Sequence, residues 1–417
     1  MKSPFYFFEE TKNLFYLSIL FIIFLSLIFS AVFTLIVKHN KILPIFINIP
    51  LIFSVFEYLI SVIFYGFPWI TFSLILSAEE NFNFIFKNFG TFMSSYIIIQ
   101  LFCLPYVFLT SSFLQRNSLF YFIFIIATFI FVILYNFVSK ERIDIAKEKI
   151  DLEIFQLNNK NFFTYTNINE NYEKIIEYIS NSEADIMIFA ENDYPYLIDD
   201  NKLDILKSYL KTNQTLIIGG TRKENNNYFN TLVHLDNDNI FYFDKKILVP
   251  FGEFIPLRKY LSFLEPIAGK IDFSKGEKKR IISLKSDFTY IPIICYEIIY
   301  YWKIINKINQ NSEFIVNITN DNWFGKFLGP YQHFYLTKIR ASEFNKPIIR
   351  VSNNGISAII SQNGKVLVRT NLNENKVIRY NMTINNSKNF YKTHYFLNVY
   401  FFIICLILFL FNLKTKK

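Results

Sequence analysis

Charge is scarce in this chain, and so are the residues that build crosslinks and metal sites. Only 18% of the 417 residues are charged, and there are 3 Cys, 4 His and 3 Trp. Three cysteines, with Cys103 and Cys405 inside long apolar runs, exclude a disulfide framework. The histidines are scattered without His-x-x-x-His spacing and no Cys-x-x-Cys occurs, so no metal site is expected. The net charge of +9 comes without a basic motif of aromatic spacing, which reads as solvated Lys in surface loops rather than nucleic-acid binding. A cleavable leader is not expected either. The first apolar run is too long and lacks a small-residue cleavage site, so it reads as a retained helix.

Hydrophobic residues are in excess, at 52% with 51 Phe, and they are unevenly spread. Asn13–Val37, Asn88–Gln115, Asn117–Ser139 and Tyr395–Leu413 contain no charged residue, and Ile42–Ala78 has only Glu57. A helix needs roughly 20 apolar residues to span a bilayer, so these runs read as membrane spans. The expected organisation is a helical membrane domain over residues 1–139, a catalytic α/β domain over 140–392, and a closing helix with a basic tail over 393–417. Lys38, His39, Lys41, Arg116 and Lys414 fall in or after short turns on one side, while Glu79 and Glu80 fall on the other. By the positive-inside rule this places the α/β domain outside the cytoplasm.

Glu57 lies at membrane depth, where a carboxylate must face protein or water. Gly66-Phe-Pro-Trp69 then interrupts the run, because Pro68 has no amide hydrogen to continue a helix. Two readings fit: a helix end with an interfacial Trp, or a broken segment lining a lipid-facing cavity.

Short apolar runs in the polar half predict buried strands at Leu152–Phe155, Asp185–Ala190, Thr215–Ile218, Thr289–Ile294, Phe314–Ile318 and Ile348–Val351. Ile356–Ile360 and Lys365–Val368 flank Ser361-Gln-Asn-Gly364, a hairpin signal. Helices are expected over Asn171–Ser180, Lys202–Leu210 and Tyr331–Phe344, which gives an alternating α/β layered domain. Three ionisable groups follow strand-like runs: Glu191, Lys245 and Cys295. Each alone has an ordinary reading, as a solvated charge or a small buried thiol. Together, a thiol, an acid and an amine at strand ends are the parts of an acyl-transfer site.

These residues carry a resemblance. Glu191 with Pro195, Lys245-Lys-Ile-Leu-Val-Pro-Phe-Gly-Glu253, Cys295-Tyr296-Glu297, Asn320-Asp-Asn-Trp-Phe-Gly325, Gly329-Pro-Tyr-Gln-His333, Arg340-Ala-Ser-Glu343 and Asn353-Asn-Gly355 follow in order. The pattern resembles the nitrilase superfamily of carbon–nitrogen hydrolases, and more closely the bacterial apolipoprotein N-acyltransferases, over about residues 45–413. Gly66-Phe-Pro-Trp69 is similar to the membrane part of that family. Two departures stand out: Phe189-Ala190 precede the acid where the family usually has Trp-Pro, and relatives usually carry further helices before the matched region.

The resemblance implies an αββα sandwich fused to a helical membrane bundle in the bacterial inner membrane, with the catalytic domain in the periplasm. It implies transfer of a fatty acyl chain from a phospholipid to the amine of a diacylglyceryl-cysteine lipoprotein through a Cys295 thioester. Glu191 is then the base, and Lys245 with the Tyr296 amide stabilises the oxyanion. Glu253 and Glu297 orient their neighbours, while Trp69, Trp323 and His333 are weaker candidates for shaping the pocket. No cofactor or metal is required, because the thioester stores the acyl group; no oligomer is implied. A membrane-tethered amide or nitrile hydrolase with the same residues, or an inactive scaffold, are the alternatives.

Overall fold

Helix formation stops short of Gly66-Phe-Pro-Trp69, where the sequence places a break. The computed structural model describes residues 45–63, 65–69, 71–105, 146–158, 168–265, 269–284, 288–305, 312–325 and 327–385, with isolated positions between 19 and 34 and between 123 and 134. The chain divides into two compact units, Leu20–Ile143 in one and Asp144–Ala341 with Lys346–Phe390 in the other.

In the first unit, helix α1 (Ile45–Val62) is followed by short helical turns at Phe72–Ala78 and Glu80–Phe82 and then by α2 (Asn83–Phe102). Gly90, at φ 70° and ψ 174°, kinks α2, a conformation open to a residue without Cβ. Glu57 is buried in α1: one carboxylate oxygen accepts the Phe72 amide at 3.1 Å and the other the Ser95 hydroxyl at 3.0 Å. These two donors tie α1 to the chain after the break and to α2. Among the described residues, no helix is long and apolar enough to cross a membrane. The runs expected as the first and fourth spans are described only at scattered positions. The closing run and the loop charges Lys38, His39, Lys41, Arg116 and Lys414 lie outside the described residues.

The second unit is built on two sheets. Its strands, in chain order, are β1 (Ala146–Gln156), β2 (Ile186–Ile188), β3 (Leu197–Ile198), β4 (Thr215–Glu224), β5 (Asn227–Asp236), β6 (Ile240–Asp244), β7 (Ile282–Ser283), β8 (Thr289–Ile294), β9 (Phe314–Thr319), β10 (Ile348–Ser352), β11 (Ala358–Ile360), β12 (Val366–Arg369) and β13 (Lys376–Asn385). The first sheet runs β13-β1-β2-β4-β5-β6 with β3 beside β4; the second runs β12-β11-β10-β9-β8-β7. β1, β2 and β4 are parallel, as are β8, β9 and β10, so the C-terminal ends of both sets carry the connecting loops.

Period-two alternation explains the layering. Phe155, Met187, Leu216, Ile218, Val233 and Leu235 face helices α3 (Ile168–Asn181) and α4 (Asp200–Ser208), packing with Ile175, Ile179, Leu203 and Leu206 in one core. Their neighbours Leu152, Ile154, Ile186, Ile188, Ile217 and Leu232 are buried as well. They point the other way, the face on which His234 meets the Tyr290 hydroxyl of the second sheet at 3.2 Å. Strands buried on both faces read as continuous apolar runs, which is why the sequence marks them. Truncating one such side chain, for example Ile188→Ala, costs about 2–5 kcal/mol. On the far side, α5 (Leu328–Phe344) lies against β10, where Thr337 accepts a hydrogen bond from Arg350 at 3.1 Å. The order is helix, sheet, sheet, helix, the expected αββα sandwich.

Candidate active site

Glu191 sits in a tight turn immediately beyond β2. Asn192 is left-handed at φ 58°, and the turn lies flat against β4, where the Gly219 amide donates to the Ala190 carbonyl at 3.1 Å. A Cβ on Gly219 would fall 2.6 Å from Glu191 Cα, so only glycine permits this approach. Phe189 stacks on Phe155 with ring centroids 4.3 Å apart. The departure from the family's Trp-Pro is thus accommodated by a packed aromatic pair beneath the acid.

Lys245 follows β6. Its amide extends the ladder to the Asn230 carbonyl at 2.8 Å, and its own carbonyl accepts the Gly276 amide at 2.8 Å. The side chain is buried, with Nζ 2.8 Å from Glu253 Oε1 and 3.5 Å from Glu191 Oε1. Glu253 is returned to this point by a turn in which its second oxygen accepts the Val249 amide at 2.8 Å.

Cys295 ends β8. Its φ of 49° is a left-handed conformation that a non-glycine residue adopts only when its surroundings enforce it. Glu297 supplies much of that enforcement. Fully buried, it accepts the Ile294 amide at 3.0 Å and the Lys246 and Ile247 amides at 2.9 Å each, and it pairs with Arg280. One carboxylate thus fastens the Cys295 turn to the segment that follows Lys245. Beneath the turn, Asn317 donates to the Cys295 carbonyl at 3.5 Å and accepts from Arg350 at 3.0 Å. Arg350 also pairs with Asp321 at 2.7 Å, and Asp321 with His333 at 2.8 Å.

Glu191, Lys245 and Cys295, separated in sequence, are therefore brought together: they are exposed by only 3%, 1% and 5%, Lys245 Nζ lies 3.5 Å from Glu191 Oε1, and the Cys295 thiol lies within the field of both charges. Burial raises the Cys295 pKa far above its usual value, and the Glu191 charge adds to this against the pull of Lys245. Burial raises Glu191 also, more than Lys245, Asn230 and Cys295 lower it. Burial would strip Lys245 of its proton, yet Glu253, Glu191 and Cys295 overcome it and hold the ammonium charged. The resting arrangement is a neutral thiol beside a carboxyl of enhanced basicity and a fixed cation.

Of the other residues singled out in the sequence, Glu253 touches Lys245, Glu297 holds the amides flanking Lys245 and Cys295, and Tyr296 lies buried in the turn, its ring 5.4 Å from that of Tyr300. His333 is buried in the Asp321–Arg350 pair, and burial pushes its pKa down. Trp323 is partly exposed on the turn Asp321–Phe324. Trp69 belongs to the first unit and is buried there. Several partners escaped the sequence reading. Asn230 Nδ2 donates to both Glu191 at 2.7 Å and Glu253 at 2.8 Å, and the Asn320 amide donates to Glu191 at 2.8 Å. Asn320 stood inside a recognised motif, whereas Asn230 has no signal but its register opposite Lys245.

The chain has relatives that bear on this arrangement. Residues 154–390 match the family described as carbon-nitrogen hydrolase. An apolipoprotein N-acyltransferase of Rickettsia typhi (strain ATCC VR-144 / Wilmington) is 37% identical over 221 residues, covering 51% of this chain and 43% of that protein. Another, of Rickettsia prowazekii (strain Madrid E), is 32% identical over 78% of this chain and 67% of that protein. A third, of Rickettsia bellii (strain RML369-C), is 30% identical over 83% of this chain and 70% of its own length. The chain thus spans between 43% and 70% of the length of these three relatives.

Proposed function

The chain belongs to the carbon–nitrogen hydrolase family and, within it, to the apolipoprotein N-acyltransferases, and on that premise we propose that it moves a fatty acyl chain from a phospholipid to a lipoprotein amine in two half-reactions. The observation that carries this reading is the burial of Cys295, Glu191 and Lys245 in one cluster, with Lys245 Nζ 3.5 Å from Glu191 and the thiol in the field of both charges.

In the first half-reaction the Cys295 thiol gives its proton to Glu191 as sulfur attacks the ester carbonyl. The carbonyl oxygen becomes an oxyanion beside Lys245 Nζ and the Tyr296 amide. The C–O bond then breaks, Glu191 returns the proton to the departing lysophospholipid, and a thioester remains. In the second, the α-amine of the diacylglyceryl-cysteine attacks the thioester and loses a proton to Glu191. The C–S bond breaks, an amide forms, and the proton passes back to the Cys295 sulfur. The raised pKa of Glu191 suits it to this work, since a carboxyl closer in basicity to its partner transfers a proton more readily. The charged Lys245 cannot act as the base; it opposes the negative charge.

Glu253 orients Lys245, and Glu297 holds the nucleophile turn. Trp323, partly exposed, suits contact with substrate, whereas His333, paired with Asp321, suits a supporting role. Trp69 would act from the membrane part. We place residues 1–139 and 393–417 in the bacterial inner membrane and residues 140–392 on its periplasmic face, from the apolar runs and loop charges.

The test incubates the full chain in micelles with a labelled phospholipid and a diacylated lipopeptide. The expected result is an acyl adduct on Cys295 that is chased onto the peptide amine and is missing from Cys295→Ala. Release of free fatty acid without peptide acylation, or an undiminished adduct on Cys295→Ala, would overturn it.

A further inference from the structure

We propose that Asp193 is a positioning residue that aims the Glu191 carboxylate at Cys295, an inference that rests on Glu191 acting as the base. Asp193 is only 2% exposed, yet no cation pairs with it among the described residues. Its two oxygens accept from neutral donors: the Ala190 amide at 2.7 Å and the Asn353 side-chain amide at 3.2 Å. Burying a carboxylate without a countercharge is unfavourable, and burial pushes this one up to about 7 despite the Ala190 hydrogen bond. An apolar residue would fill the space with less penalty, so the reason for an acid lies in what its oxygens hold.

They hold a ring of contacts. The Ala190 amide belongs to the residue just before Glu191, and Asn353 belongs to the loop between β10 and β11 of the other sheet. The Asn353 amide donates to the Thr319 carbonyl at 3.1 Å. Next to Thr319, the Asn320 amide donates to Glu191 at 2.8 Å. The path Glu191–Ala190–Asp193–Asn353–Thr319–Asn320–Glu191 closes on itself. Asn353 is also anchored to the chain just past β1 through its carbonyl, which accepts the Asn158 amide at 2.9 Å. Asp193 is the one side chain of the Glu191 turn, apart from Glu191 itself, shown reaching the second sheet. Without it, the turn keeps its backbone contacts to Gly219 but is tied to the sheet that carries the nucleophile through the Glu191 carboxylate alone.

The consequence falls on geometry rather than affinity. A displacement of about 1 Å in a reacting group costs on the order of 100-fold in rate. The experiment measures single-turnover acylation of Cys295 by intact mass in the full chain, over a phospholipid titration and a pH series. Asp193→Ala is expected to lower the saturating rate about 10- to 100-fold, to leave half-saturation within about twofold, and to shift the pH profile. Asp193→Asn keeps an acceptor for the Ala190 amide, and Asn353 can turn its own amide to match. It is expected to restore the rate to within about threefold of wild type. Asn353→Ala cuts the same link from the other side, so its loss is expected not to add to that of Asp193→Ala. Should Asp193→Ala fail to fold, Asn353→Ala and Asp193→Asn decide. A normal rate in Asp193→Ala or Asn353→Ala, a loss confined to half-saturation, or no rescue by asparagine would overturn the proposal. Glu191→Gln in the same series separates the two claims. If it acylates normally, the base assignment fails; if it is dead while Asp193→Ala is normal, only the positioning role fails.

Discussion

The backbone amide of Asn320 donates to Glu191 Oε2 at 2.8 Å, so a group delivered by one sheet fixes an acid delivered by the other. Lys245 arrives from the same sheet as Glu191, and Cys295 from the same sheet as Asn320. The geometry of the proposed catalytic cluster therefore depends on how the sheets pack.

Lys245 is expected to be indispensable for charge and shape together. On the proposed mechanism, Lys245→Met removes the cation that opposes the oxyanion and should slow Cys295 acylation by about 100- to 1000-fold. Lys245→Arg keeps the charge, but a planar guanidinium does not fit a fully buried slot sized for an ammonium 2.8 Å from Glu253. It should remain as slow as the methionine variant. Stopped-time acylation followed by mass spectrometry checks both, and near-normal activity in the arginine variant would show that charge alone suffices.

Arg280 and Glu297 form a buried pair beneath the Cys295 turn. Arg280 pulls the Glu297 carboxyl below its ordinary value although burial pushes it upward. Arg280→Met would leave Glu297 charged and buried, a change that typically costs about 3–5 kcal/mol. A clear fall in denaturation midpoint is expected for this variant. Adding Glu297→Gln should recover part of that stability but not the acylation rate, because Glu297 also holds the Lys246 and Ile247 amides.

Much of the scaffold was legible because its strands are buried on both faces. The runs at residues 152–155, 215–218, 289–294 and 348–351 all fall within strands, and the expected hairpin turn joins β11 to β12 at Gly364, whose φ is 74°. β13 escaped notice because it alternates Lys376, Val377, Ile378 and Arg379 with further polar residues, a pattern too mixed to mark a buried strand. Its role emerges only from pairing with β1. The β4–β5 hairpin did carry a local signal: Asn225 and Asn226 are both left-handed, at φ 46° and 68°, as a two-residue hairpin turn requires. The ordered motifs marked Glu191, Lys245 and Cys295 before their contacts were known. Asn230, Asp193 and Arg280 could not be marked, since their importance lies in which distant atoms they reach.

His234 should impose a pH dependence on stability. It lies between the sheets, where burial lowers its pKa to about 4, only partly offset by Asp236. The folded-state pKa thus lies below the unfolded value of about 6.5. Between these values the unfolded chain binds a proton that the folded chain refuses. Stability contributed by neutral His234 is full above about 6.5 and is lost as pH falls toward about 4, by up to roughly 3 kcal/mol. Thermal unfolding of His234→Gln should show a flatter profile over that window. An unchanged slope would mean that other groups set the acid sensitivity.

Two adjacent glycines on β4 offer a final contrast. A Cβ at Gly219 would meet backbone atoms, Glu191 Cα at 2.6 Å and the Ala190 carbonyl oxygen at 2.8 Å. One at Gly220 would meet only side-chain carbons of Tyr194 and Ile198, at 3.1 Å or more. At Gly219 the clash is under 3 Å and can be relieved only by moving the turn that carries the acid, whereas at Gly220 the contacts are 3.1 Å or longer and need a shift of only a few tenths of an ångström. Gly219→Ala should therefore lower the acylation rate on the order of 100-fold through displacement of Glu191. Gly220→Ala should retain activity and lose at most about 1–3 kcal/mol of stability from overpacking. Measuring acylation rate and unfolding midpoint for both variants separates positional from packing effects. Equal rates in the two would show that the Glu191 turn does not depend on the closeness of β4.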